Sequence, residues 1–71
     1  MDHAMQRRHL QQAERHIDLG LRLIAEQEER VADLKRKGHD VTEARTLLDN
    51  FHAIQVQHIR HRDRILKELE E

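Results

Sequence analysis

The stretch at residues 35–43, KRKGHDVTE, separates two helical segments and therefore decides the fold. Gly38 is suited to the left-handed conformation that ends many helices, and the cationic residues just before it favour the carbonyl end of a helix. Asp40 is a good N-cap for a second helix, and Glu43, three residues later, can complete a capping box with it. A connection this short sends the second helix back antiparallel to the first.

Apolar residues recur at helical spacing on both sides of this turn. Between Leu10 and Leu34 they follow steps of three and four residues, and the same alternation runs from Val41 to Leu69. We therefore predict helices over about residues 3–37 and about 41–70, with the turn at 38–40. The predicted fold is all-α, an antiparallel two-helix hairpin that forms one domain over residues 1–71.

The composition agrees with a helical chain and excludes several other classes of protein. Of the 71 residues 38% are charged, there is no proline or cysteine, and Phe51 is the only aromatic residue of the Phe, Trp and Tyr set. The absence of cysteine excludes disulfides and thiolate metal sites. No apolar run approaches the length of a membrane span, and the N-terminal stretch is too polar for a signal peptide. We therefore expect a cytoplasmic protein that does not associate with membranes.

Each predicted helix carries an apolar face that is wider than one hairpin seam can bury. Covering the flanking side chains would contribute roughly 5–10 kcal/mol at about 25 cal/mol per Å². The sequence therefore predicts self-association, most simply as a homodimeric four-helix bundle. The residues expected to form the core and the dimer contacts are Leu10, Ile17, Leu21, Leu23, Ile24, Val31, Leu34, Leu48, Phe51, Ile54, Ile65, Leu66 and Leu69.

Folding the chain about His39 predicts which residues face one another. In this register Gly20 faces His58, and His16 falls opposite His61 and Arg62. A glycine inside a helix costs about 1 kcal/mol relative to alanine, so Gly20 either permits a close approach by His58 or is merely tolerated.

Polar residues on the seam have two interpretations. Buried polar side chains can fix the register of helices at a cost in stability, whereas those at the edge of the seam reach solvent. We expect the first role for Gln55 and His58 and the second for Arg62, while Gln27 is left open between the two.

Histidine is the unusual residue of this chain, with seven copies. His58 and His61 share a helix face, and neutral imidazole binds zinc, nickel or copper. His16, His58 and His61 are thus weak candidates for a metal site or a pH-sensitive cluster. The ordinary interpretation, partly buried amphipathic side chains, is favoured, and no metal or other cofactor is expected.

The segment around Arg60, Arg62 and Arg64 is locally basic. Small helical dimers of the Rop type bind RNA through one face of the bundle, which makes these arginines a possible nucleic-acid surface. No aromatic platform accompanies them, and the net charge of the chain is −1, so nucleic-acid binding is not favoured. The chain contains no serine, no cysteine and no glycine-rich phosphate loop, so an enzyme is not expected either.

The segments 37–48, KGHDVTEARTLL, 13–17, AERHI, and 62–66, RDRIL, together resemble a group of short helical proteins of alphaproteobacteria. The resemblance implies a bacterial, cytoplasmic helical hairpin. It implies no activity, because none is assigned to the group, and no site residues carry over. The expected function is that of a structural, protein-interaction or regulatory module. A second copy of the chain is its expected partner, and another protein is a further candidate partner. The alternatives are a Rop-like nucleic-acid binder and a histidine-based pH or metal sensor.

Overall fold

The chain folds into two long antiparallel helices. The computed structural model describes residues 3–70, so residues 1, 2 and 71 of the predicted domain lie outside the described part. Helix α1 covers His3–Arg36 and helix α2 covers Thr42–Glu70, and no strand occurs in this part of the chain. The two helices pack along their length into a rod of 55 × 14 × 13 Å. The predicted all-α hairpin is therefore confirmed, and both helices lie within one or two residues of their predicted bounds.

Helix α1 ends in a Schellman motif centred on Gly38. The backbone amide of Gly38 donates to the carbonyl of Lys35 at 3.1 Å, and that of His39 donates to the carbonyl of Leu34 at 2.9 Å. Gly38 has a φ of +73°, a conformation that glycine adopts without the steric cost of a Cβ atom. Because of this motif the chain reverses directly after α1.

Asp40 organises the start of helix α2 from one residue before the N-cap position. Its Oδ1 accepts hydrogen bonds from the backbone amide of Thr42 at 3.0 Å and from the Thr42 hydroxyl at 2.7 Å. These two bonds, the amide bond first, lower the pKa of the Asp40 carboxyl. The first helical hydrogen bond runs from Arg45 to the carbonyl of Val41, so Val41 occupies the N-cap position. Glu43 is consequently one residue too early for a capping box, and the predicted box with Asp40 does not form.

The core is a narrow seam between the two helices. Its buried apolar residues are small or β-branched, and the other apolar residues of the seam are only half-buried because a two-helix rod has no third element to cover them. The buried apolar residues are Ala13, Ile17, Ile24, Ala44 and Ile65. Gln27 and Gln55 complete the seam, with 7% and 5% of their surface exposed.

Candidate functional site: the grooved face of the hairpin

Two buried glutamines connect the helices through hydrogen bonds to backbone carbonyls. The Nε2 of Gln27 on α1 donates to the carbonyl oxygen of Ala44 on α2 at 2.9 Å. The Nε2 of Gln55 on α2 donates to the carbonyl oxygen of Ile17 on α1 at 2.8 Å. Each helix therefore sends one amide across the seam, and a shift in register would break both bonds.

Gly20 provides the space that Gln55 occupies. A Cβ atom at Gly20 would lie 2.7 Å from Cδ of Gln55 and closer still to its Oε1. The predicted partner of Gly20 was His58, and that assignment is wrong. The glycine permits a close approach as one interpretation expected, but the side chain that uses the space is the Gln55 amide.

The whole register is displaced by about one helical turn from the predicted one. Gly20 meets Gln55 instead of His58. His16 was predicted to lie opposite His61 and Arg62; its ring lies beside that of His58, and it borders a depression with His61. Both contacts fall three residues earlier in α2 than a fold about His39 implies. In the observed register the Gln55 side chain fits the space at Gly20 and donates to the carbonyl of Ile17.

One side of the hairpin carries an open, mainly apolar groove of about 130 Å³ above Gly20 and Gln55. The Oε1 atom of Gln55 is buried in this groove, and it has no hydrogen-bond partner among the described residues. We call this side the groove face. The residues that line the groove are His16, Leu19, Gly20, Leu23, Phe51, Ile54, Gln55 and His58.

The groove face continues towards both ends of the rod. In the direction of the chain termini, His16 also borders a depression that His9 and His61 line. Towards the turn, a further depression is bordered by Gln27, one helical turn after Leu23, and by Leu47, one turn before Phe51. The groove therefore belongs to a surface that extends along much of the hairpin.

The residues that the sequence predicted for the core and the dimer contacts lie on two different faces of the hairpin. Leu23 and Ile54 line the groove, whereas Leu21 and Leu66 do not, although 57% and 40% of their surfaces are exposed. Leu21 is two residues from Leu23, which places it about 200° around the axis of α1. One partner cannot cover both sets of residues through a single contact surface.

The three candidate histidines lie on the groove face. His16 and His61 are exposed and His58 is half-buried. The ring centres of His16 and His58 are 5.1 Å apart, with an angle of 46° between the ring planes. Within residues 3–70 no group of three or more His, Asp or Glu side chains is arranged to hold a metal ion. Any ion on this face would therefore take at most two ligands from one chain.

The three arginines of the basic segment do not form a common surface. Arg60 and Arg64 are exposed and one helical turn apart, whereas Arg62, two residues from each, points to another side of α2. Arg62 is half-buried and pairs with Asp63, with Nη2 and Nε at 3.0 and 3.1 Å from the Oδ1 of that carboxylate. This pairing neutralises the middle charge of the segment.

Comparison with known proteins found no relative: no family model, no curated protein and no solved structure matches the chain. Neither helix, over its described length, is long and apolar enough to cross a membrane.

Proposed function

We propose that this protein is a small self-associating helical module, a homodimeric four-helix bundle that acts through protein contacts in a structural or regulatory role. The observation that carries the proposal is the amount of surface that one hairpin exposes. The solvent-accessible surface of the chain is 5738 Å². A compact monomer of its mass, 8.6 kDa, would expose about 4,700 Å².

The excess surface matches the size of a dimer interface. It amounts to roughly 1,000 Å², and each partner in a protein–protein interface of standard size buries about 800 Å². Pairing with a second copy therefore removes most of the excess. Homodimers with twofold symmetry are the commonest closed assembly, and two hairpins packed face to face make a four-helix bundle.

The groove face is the surface that we assign to this contact. Leu19, Leu47 and Ile54 are 49%, 43% and 48% exposed on or beside the groove, although leucine and isoleucine usually lie inside folded proteins. The half-buried Leu23 and Phe51 lie between them. A helix of a second hairpin placed along this face would cover all five side chains.

Sedimentation equilibrium of the untagged chain at micromolar concentration tests the proposal. We expect twice the chain mass of 8.6 kDa for the wild type. The double variant Leu19→Glu, Ile54→Glu should sediment as a monomer, because carboxylates would have to be buried in the interface. Leu21→Glu is the matched control, since Leu21 is as exposed but lies off the groove, and it should remain a dimer.

Two results would contradict the proposal. A wild-type chain that remains monomeric at micromolar concentration would remove the dimer itself. A monomer produced by Leu21→Glu, with a dimer retained by the groove variant, would place the interface on the opposite face.

A further inference from the structure

We propose that His16 and His58 form a two-imidazole site for a late first-row divalent cation, with Zn²⁺ as the reference ion. The two residues belong to different helices, so a bound ion would link α1 to α2. Both ligands come from one hairpin, and they line the groove that we assign to the dimer contact.

The spacing of the two rings is the observation that carries this proposal. A zinc–nitrogen bond is about 2.0–2.1 Å long, and the centre of an imidazole ring lies roughly 1 Å beyond its ligating nitrogen. Two imidazoles on a tetrahedral ion consequently have ring centres about 5 Å apart. The ring centres of His16 and His58 are 5.1 Å apart, which is the separation that two imidazoles on one tetrahedral ion require.

The surroundings of the two rings suit a shared ion. His16 is exposed, so its ring can turn to present a nitrogen, while the half-buried His58 provides a more constrained partner. The register that sets these rings side by side is held by the neighbouring bond from Gln55 to Ile17. Residues 3–70 supply no third ligand, so the other coordination positions of the ion are left to groups outside this hairpin.

The choice of cation follows from the ligand atoms. Neutral imidazole nitrogen favours zinc, nickel and copper, whereas magnesium and calcium require oxygen ligands. Magnesium is therefore the control ion, and zinc is the probe.

The experiment uses the full, untagged chain after dialysis against EDTA, titrated with ZnCl₂ in a calorimeter and melted with and without zinc. We expect saturable binding of one ion per chain and a rise in Tm, because the ion binds the folded hairpin better than the unfolded chain. MgCl₂ should produce neither effect. His16→Gln and His58→Gln should each weaken zinc binding at least tenfold and abolish the rise in Tm.

His52→Gln is the matched control, because it removes an exposed histidine of α2 that does not line the groove. It should bind zinc as the wild type does, and the far-ultraviolet circular dichroism of all three variants should show unchanged helix content. A wild type that zinc does not stabilise would overturn the proposal. Equal zinc affinity of the double variant His16→Gln, His58→Gln and the wild type would also overturn it. Sedimentation of the same samples reports on the dimer separately, so the two proposals can fail independently.

Discussion

The two glutamine bridges are built alike but hold different parts of the hairpin. Gln27 and Ala44 are 17 residues apart in sequence and lie close to the turn, whereas Gln55 and Ile17 are 38 residues apart and lie near the middle of the rod. Near the turn, the short connection already limits how the helices can slide. Further along, the side chains must fix the register themselves.

The small residues near each bridge show how the sequence makes room for it. Gln27 reaches the backbone of α2 at Ala44, and Gln55 fills the space that Gly20 leaves open. The Oε1 atom of Gln55 is enclosed without a partner in the described chain, and no such atom occurs at Gln27. An enclosed polar atom costs stability. The bridge in the middle of the hairpin therefore fixes the register at a larger cost in stability than the bridge near the turn.

The largest effect is expected from truncation of the central bridge. Gln55→Ala removes the bond to Ile17 and leaves an unfilled space at Gly20, so we expect a loss of about 2–3 kcal/mol. Gln27→Ala should cost about 1 kcal/mol, because the nearby turn still restrains the helices. Urea unfolding at one fixed protein concentration measures both values. Equal losses of unfolding free energy would contradict this prediction, because the two bridges would then contribute equally to stability.

A smaller effect on stability is expected at Gly20, and its sign should depend on whether the Gln55 side chain is present. Gly20→Ala places a Cβ atom where the Gln55 amide lies, so it should destabilise the protein by about 1 kcal/mol although alanine favours helices. In the Gln55→Ala background the same substitution should stabilise by up to about 1 kcal/mol. A double-mutant cycle measures this coupling. Additive effects would contradict the assigned contact.

The smallest effect is expected at the turn. Asp40→Ala removes the acceptor for the amide and hydroxyl of Thr42 and should lower Tm by a few degrees. The stability changes of Asp40→Ala and Gln27→Ala should be non-additive in the double variant, because Gln27 lies close to the turn. Those of Asp40→Ala and Gln55→Ala should be additive, because Gln55 lies far from it. Coupling to Gln55→Ala instead would break the distinction between the two regions.

The contribution of Asp40 should also depend on pH. Its hydrogen bonds from Thr42 lower its pKa in the folded state. The stabilisation is therefore fully present above the unfolded-state pKa of about 3.9 and is lost as pH falls through the lower folded value. The difference in Tm between wild type and Asp40→Ala should stay constant from about pH 7 to 5 and shrink below about pH 4. A difference that persists at pH 2 would exclude the carboxylate as its cause.

Periodicity and turn chemistry predicted the helices and the turn closely, because both depend on residues near one another in sequence. The predicted register was wrong by three residues, because contacts between residues far apart in sequence fix it. Gly20 and Gln55 both stood out as polar or small residues on an apolar seam. Their pairing could not be predicted, because it depends on a register that differs from the assumed one by one turn.

The sequence by itself determined that this protein consists of two helices joined by a glycine turn, since helical period, capping and charge act over a few residues. Only the tertiary structure decided which side chains meet across the seam. The alternating apolar steps repeat along each helix, so several registers bury similar surface and periodicity does not choose among them. The choice is made by the fit of the Gln55 amide into the space at Gly20 and by its bond to Ile17.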